Sequence, residues 1–204
     1  MPARTPDTVV FDLGGVLFDW DPRHLYRTVF AETDAMERFL AEVCTPAWNA
    51  LQDRGRGFAE AIAELQREHP AQADRIALYF DRWPDMLAGT IPGTVRVLEE
   101  LKGRGVPLHA ITNWSHETIH HAKAFPFMAA FGTVVVSGEE RVAKPEPAIY
   151  RLLLERIGRP ADACVFIDDV EHNVDGARAV GMTGIRFTTP EALRAELARL
   201  DLLD

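Results

Sequence analysis

The chain has 204 residues, 47% hydrophobic and 26% charged, which suits one sizeable α/β domain with an insertion or two small domains sharing one active site and argues against a disordered chain. Its formal net charge of −9 argues against a nucleic-acid or anionic-membrane partner, since no basic surface is there to neutralise a phosphate backbone. Cys44 and Cys164 lie far apart and match no metal spacing, so they read as free thiols buried in a reducing compartment. Residues 1–8 carry one Arg and no signal-peptide pattern, and no apolar run reaches the roughly 18 residues of a membrane span; a cytoplasmic location is expected.

Along the chain, residues 8–11 (TVVF) form a short, mostly β-branched run that ends at Asp12, with Gly14 and Gly15 close behind. The stretch 22–89 is too long for one crossover helix. It carries helical patterns over 25–30, 34–43, 58–68 and 73–86, with breaks at Thr45-Pro46, residues 53–57, His69-Pro70 and Ala88-Gly89. We read it as an all-helical insertion over 21–89, with the core formed by 1–20 and 90–204. Its large side chains Phe39, Trp48, Phe58, Tyr79, Phe80 and Trp83 read as interior rather than contact surface. Beyond it, the helical pattern 93–103 precedes the apolar run 106–111 and Thr112-Asn113. TVVV at 133–136 follows, then Ala143-Lys144-Pro145, a helix over 148–157, CVFI at 164–167 and Asp168-Asp169. A helix over 174–180 and GIRF at 184–187 come next. Thr189-Pro190 then gives the last helix a capping hydroxyl and a first-turn proline. Fully apolar short runs alternating with helices predict a doubly wound parallel sheet.

The polar residues cluster at strand ends, where open α/β sheets bind ligands. An Asp before glycines, a Lys-Pro or an Asp-Asp alone reads as a turn, a loop or a helix cap. A buried apolar strand ending in carboxylates, however, needs something to pair with them. Phe11-Asp12-Leu13-Gly14-Gly15-Val16-Leu17 resembles the first motif of the haloacid dehalogenase-like superfamily. Ile111-Thr112-Asn113 resembles its second, Lys144-Pro145 its third and Phe166-Ile167-Asp168-Asp169 its fourth. The resemblance covers the whole chain and implies a Rossmann-like core of strand order 5-4-1-2-3, with the insertion as a type 1 cap. It implies a Mg²⁺-dependent hydrolase acting on a small phosphorylated metabolite, as a monomer or homodimer. In that reading Asp12 is the nucleophile that becomes an aspartyl phosphate. Asp12, Asp169 and the Gly14 carbonyl are metal ligands, and Asp168 is a ligand directly or through water. Lys144 and Thr112 hold phosphoryl oxygens, with Asn113 beside them.

One position departs from the family pattern. The aspartate expected two residues after the nucleophile, which protonates the leaving oxygen and later activates water, is Gly14. General acid–base help is typically worth roughly 10²–10⁴ in rate. Asp19, in Phe18-Asp19-Trp20-Asp21, is the leading replacement, ahead of Asp21, His116, His120 and His121. Some bacterial sugar-phosphate phosphatases resemble this chain in their Asp-Leu-Gly motif, so activity with activated leaving groups is expected. The L-2-haloacid dehalogenases of the same superfamily, which also lack that aspartate, are the rival reading, since Lys144 and Tyr150 resemble their Lys and Tyr. Asp168-Asp169 oppose it, because two carboxylates beside Asp12 repel an anionic haloacid unless a cation lies between them. A non-catalytic binding protein is the remaining alternative. In the insertion, Trp48, Asp53 and Arg54 are expected to face the substrate, Arg54 toward its anionic end and Asp53 toward sugar hydroxyls. Trp20 and Trp114 are expected to wall the pocket.

Overall fold

In chain order the strands are β1 (Thr8–Phe11), β2 (Phe18–Trp20), β3 (Leu87–Thr90), β4 (Leu108–Thr112), β5 (Thr133–Val136), β6 (Cys164–Asp168) and β7 (Thr183–Arg186). The helices are α1 (Pro22–Tyr26), α2 (Thr33–Glu42), α3 (Pro46–Gln52), α4 (Phe58–Glu68), α5 (Ala73–Asp81), α6 (Pro92–Gly103), α7 (Ile119–Lys123), α8 (Ser137–Glu140), α9 (Pro147–Ile157), α10 (Glu171–Ala179) and α11 (Pro190–Arg199). The computed structural model describes residues 5–204; residues 1–4, where the N-terminal reading and the expected core both begin, lie outside the described residues.

β1 is buried along its length and lies at the centre of a five-stranded sheet, paired in parallel with β4 on one side and β6 on the other. The full order is β5-β4-β1-β6-β7. Among these five strands that is third, second, first, fourth, fifth, the expected order read from the opposite edge. Helices cover both faces, as apolar strands in a parallel sheet require. Val10, Ile111, Val135 and Phe166 pack with α9 residues Ile149, Tyr150 and Leu153 on one side. Val9, Phe11, Ala110, Val165 and Ile167 face the other way, into an apolar body continuous with the interior of residues 22–86.

That segment is helical with short 3₁₀ turns, and its interior follows helical spacing. α2 buries Met36, Phe39 and Leu40, and α4 buries Phe58, Ala61 and Leu65. The rings of Tyr26 and Phe39 lie 4.9 Å apart and those of Trp48 and Tyr79 5.0 Å apart. Phe80 departs from the expected interior set; it is exposed and stacks on Phe58.

Two short elements escape a periodicity reading. β2 and β3 form an antiparallel ribbon at the base of the helical segment, pairing Phe18 with Thr90 and Asp19 with Gly89. The end of the insertion, expected to be all-helical over 21–89, is therefore strand from Leu87 onward. α3 begins at Thr45-Pro46, read from sequence only as a separator. Thr45 Oγ1 accepts from the Trp48 N–H at 3.0 Å and Pro46 takes the first turn, so the dipeptide starts a helix.

Candidate active site

β1, β4 and β6 run in one direction, so Asp12, Thr112 and Asp168-Asp169 emerge at one edge of the sheet, where the order reverses around β1. Asp12 Oδ1 accepts from the Leu13 N–H at 2.7 Å, and its Oδ2 lies 2.8 Å from Lys144 Nζ. The same ammonium donates to Asp168 Oδ2 at 2.6 Å. Asn113 fixes the lysine's backbone: its Nδ2 donates to the Lys144 carbonyl at 3.0 Å, and its Oδ1 accepts from the Lys144 N–H at 2.9 Å. Asp168 is held further by the Val170 N–H at 2.8 Å and by Asn173 Nδ2, 3.1 Å from each carboxylate oxygen. Asp169 packs over Gly15, whose φ is +73° and where a Cβ would lie 2.6 Å from Asp169 Oδ2; only glycine fits both the backbone and the approach.

Asp12, Asp168 and Asp169 each present an oxygen within 4.8 Å of the others, a donor set suited to one hard cation. The electrostatics point the same way. Burial raises the Asp12 pKa well above the carboxylate range, and the charges of Asp168 and Asp169 add to it against the pull of Lys144. Burial and Asp168 likewise raise Asp169. Burial works against the Lys144 charge, but Asp12 and Asp168 outweigh it and hold the ammonium protonated. Three carboxylates thus face one buried ammonium, with Arg186 acting on Asp169 as well, and a divalent ion would offset the remaining charge. Each oxygen of Asp168 already accepts two hydrogen bonds, against one for each oxygen of Asp12, so Asp12 and Asp169 have the freer oxygens for direct ligation. Thr112 Oγ1 is buried with no hydrogen-bond partner among the described residues, which costs about 1–3 kcal/mol unless a ligand completes it.

Beside these groups lies a pocket of about 50 Å³ between sheet and insertion, bordered by Gly14, Asn113 and Trp114 from the core and by Asn49, Asp53 and Trp83 from the insertion side. Trp20 and Asn49 line it and also border an open cavity of about 600 Å³ in the insertion, whose walls include Leu40, Cys44 and Tyr79 but also Arg23 and Glu37. Trp114 stands as a wall, its ring against Phe18 and Trp83 and its Nε1 donating to Thr118 Oγ1 at 3.1 Å.

Asp53 belongs to the pocket. Its Oδ2 accepts from Asn49 Nδ2 at 3.0 Å and its carboxylate also accepts from the Ser115 N–H. Burial pushes its pKa up to about 7, against the lowering effects of Lys144 and the Ser115 bond. The loop that carries it is tied to the core. Ser137 Oγ donates to the Asp53 carbonyl, Glu117 Oε2 accepts from the Phe58 N–H at 2.7 Å, and a Cβ on Gly55 would lie 2.9 Å from the Gly138 carbonyl.

Three expected site residues lie elsewhere. Asp19 sits in β2 between Phe18 and Trp20, and strand alternation turns those rings inward and its carboxylate outward. There Asp19 is 55% exposed and accepts from His24 at 3.0 Å, so it is not positioned as an acid for the pocket. Trp48 is buried against Tyr79 and Phe58 inside the insertion. Arg54 points to solvent and pairs with Glu146 of the core. Tyr150 is no free hydroxyl either; it donates to the Asn173 carbonyl at 2.7 Å. Asn49, Trp83 and Asn173 escaped the sequence reading. Asn173 lies five residues beyond Asp168 in the first turn of α10, a spacing without meaning until the loop is folded.

A family model described as haloacid dehalogenase-like hydrolase matches residues 6–181. The chain is 28% identical over 200 residues to a sesquiterpene phosphatase of Aspergillus oryzae, covering 97% of this chain and 98% of that protein. It is 32% identical over 187 residues to a phosphatase of Mycobacterium tuberculosis, covering 85% and 83%. Among solved structures, a HAD-like family hydrolase from Porphyromonas gingivalis superposes with a TM-score of 0.74 at 21% identity, covering 97% of this chain and 98% of that one. A HAD family enzyme from Bacteroides thetaiotaomicron, solved with magnesium and inorganic phosphate, superposes with a TM-score of 0.66 at 23% identity, covering 90% and 95%. By its sequence match and by its fold alike, the chain belongs to the haloacid dehalogenase-like hydrolases.

Proposed function

We propose that the chain is a Mg²⁺-dependent phosphatase that hydrolyses a small phosphate monoester through an aspartyl phosphate on Asp12. The observation that carries this reading is the convergence of Asp12, Asp168 and Asp169 within 4.8 Å, with Lys144 bridging two of them. Mg²⁺, when bound by Asp12, Asp169 and the Gly14 carbonyl, would offset the charge of the phosphoryl oxygens. Lys144 orients Asp12 and offers an ammonium to a second phosphoryl oxygen. The Thr112 hydroxyl, without a partner among the described residues, supplies a third contact. Asp12 attacks phosphorus, and water then hydrolyses the acyl phosphate. Residues 21–89 act as a cap that excludes bulk water. Among the described residues no helix is long and apolar enough to cross a membrane, and we place the enzyme in the cytoplasm.

For the alcohol, a sugar phosphate would find Asp53, Asn49 and Asn113 as polar partners. A second reading, an apolar alcohol, is favoured by the cavity beyond Trp20, with its Leu40, Pro46 and Tyr79 lining, and by the likeness to a sesquiterpene phosphatase. The deciding experiment is a phosphate-release screen over sugar phosphates, nucleotides, acyl phosphates and prenyl-type phosphates, with and without Mg²⁺, with Asp12→Asn as the control. Release that needs both Mg²⁺ and Asp12 is expected. Chloride release from L-2-chloropropionate in the presence of EDTA would replace this reading with the dehalogenase one.

A further inference from the structure

A phosphate monoester with an ordinary alcohol as leaving group needs a proton at the departing oxygen, and the sheet side of the site has none to give. Asp12, Asp168 and Asp169 serve the cation and Lys144, while Lys144 is engaged by two carboxylates. At Gly14 the space is open: a Cβ built there meets nothing within 4 Å. Steric crowding therefore does not explain the glycine, and an acid on that strand end would have room. Of the residues bordering the pocket that includes Gly14, Asp53 is the single ionisable one among those described. It is held by Asn49 and the Ser115 N–H, on a loop anchored to the core through Ser137 and Glu117. The charged or titratable groups that act on it are Lys144 from the core and Tyr79 from α5.

We propose that Asp53, carried by the insertion, is the general acid and base of phosphoryl transfer, supplying from the cap what Gly14 lacks; this rests on the phosphatase reading. In the first step a bond forms between an Asp12 carboxylate oxygen and phosphorus as the ester P–O bond breaks, and the Asp53 proton passes to the departing oxygen. The products are free alcohol, aspartyl phosphate and the Asp53 carboxylate. In the second step water attacks phosphorus and gives its proton to Asp53, while the P–O bond to Asp12 breaks and inorganic phosphate leaves. A carboxyl whose pKa burial places near neutrality is suited to both transfers.

The test is kcat/KM for a series of aryl and alkyl phosphates with Mg²⁺, comparing the wild type with Asp53→Asn and with Gly14→Asp/Asp53→Asn. Asp53→Asn should lower alkyl phosphate hydrolysis by about 10²–10⁴-fold and p-nitrophenyl phosphate hydrolysis at least ten-fold less, steepening the leaving-group dependence. It should also abolish the fall in kcat/KM at alkaline pH. Gly14→Asp in that background should restore both the shallow dependence and the alkaline limb. Equal losses across the series, or a double variant that rescues nothing while binding Mg²⁺ normally, would overturn the assignment and leave Asp53 a structural residue of the cap. A wild type that releases phosphate from no ester would overturn the phosphatase reading itself, and this assignment with it.

Discussion

The two walls of the pocket hold carboxylates by different means. On the sheet side Asp12 and Asp168 share the Lys144 ammonium, and Asp169 joins them close enough to share an ion. On the insertion side Asp53 has, among the described residues, neutral donors only, Asn49 Nδ2 and the Ser115 N–H, in a setting where burial dominates. A fixed cation stabilises charge, whereas burial without contact to one stabilises a proton. On the proposed reading, one residue type serves as nucleophile and ligand on one wall and as proton carrier on the other, and environment rather than sequence assigns the part.

The sharpest break of this comparison is Asp12→Asn. It replaces the attacking carboxylate with a neutral, non-nucleophilic amide while leaving Lys144 paired with Asp168, so phosphate release should fall by at least about 10⁴-fold with the fold retained by circular dichroism. A variant that keeps a tenth of the activity would move the nucleophile away from the sheet wall.

The insertion wall can be tested through stability. Asp53 binds its proton more tightly in the folded chain, at about 7, than in the unfolded chain, where an aspartate titrates near 3.9. A group raised in this way contributes fully at low pH, and its contribution is lost as pH rises through the folded value. Above pH 7 its charge opposes folding by up to about 4 kcal/mol. Asp53→Asn should therefore raise the urea midpoint at pH 8 and do little at pH 4. An equal effect at both pH values would show that the carboxyl is not held protonated by burial.

How much of this could be read beforehand depended on element length. Asp12, Lys144 and Asp168-Asp169 stand out because each follows a fully apolar run, and a buried strand that ends in charge is hard to explain without a ligand. The five-stranded sheet was legible for the same reason. β2 has three residues and α3 has seven, too short for a period to declare itself. That hid the turn of Asp19 toward solvent, whereas Asp53, expected to meet sugar hydroxyls, does border the pocket with Gly14. Thr45-Pro46 carries the same helix-start signal as Thr189-Pro190, a capping hydroxyl followed by a first-turn proline. Asn49 and Asn173 left no local signal, because their partners are set by tertiary packing.

A smaller effect is expected at Asn173, which supports the sheet wall without being a proposed ligand. It is nearly buried and donates to both oxygens of Asp168, fixing the carboxylate that also meets Lys144. Outer-shell partners of this kind are typically worth about 10–100-fold in metal affinity. Asn173→Ala should weaken Mg²⁺ binding by that factor in calorimetry, with the alkyl-to-aryl activity ratio unchanged at saturating Mg²⁺. A changed ratio would mean that the two walls are not separable.

The smallest effect should come from Arg54, whose pairing with Glu146 spans insertion and core. Both side chains are more than two-fifths exposed, so water and salt screen the pair and its stabilisation should stay below about 1 kcal/mol. The loop between α3 and α4 is already fixed by Ser137 on the Asp53 carbonyl, Glu117 on the Phe58 N–H and the close approach of Gly55 to Gly138. Those contacts are partly buried and act on backbone atoms, which hold position better than a long, exposed ion pair. Arg54→Ala should accordingly change the melting temperature by no more than a few degrees and leave the leaving-group dependence of kcat/KM as in the wild type. A steeper dependence in that variant would mean that the exposed pair, rather than the backbone anchors, sets where Asp53 stands.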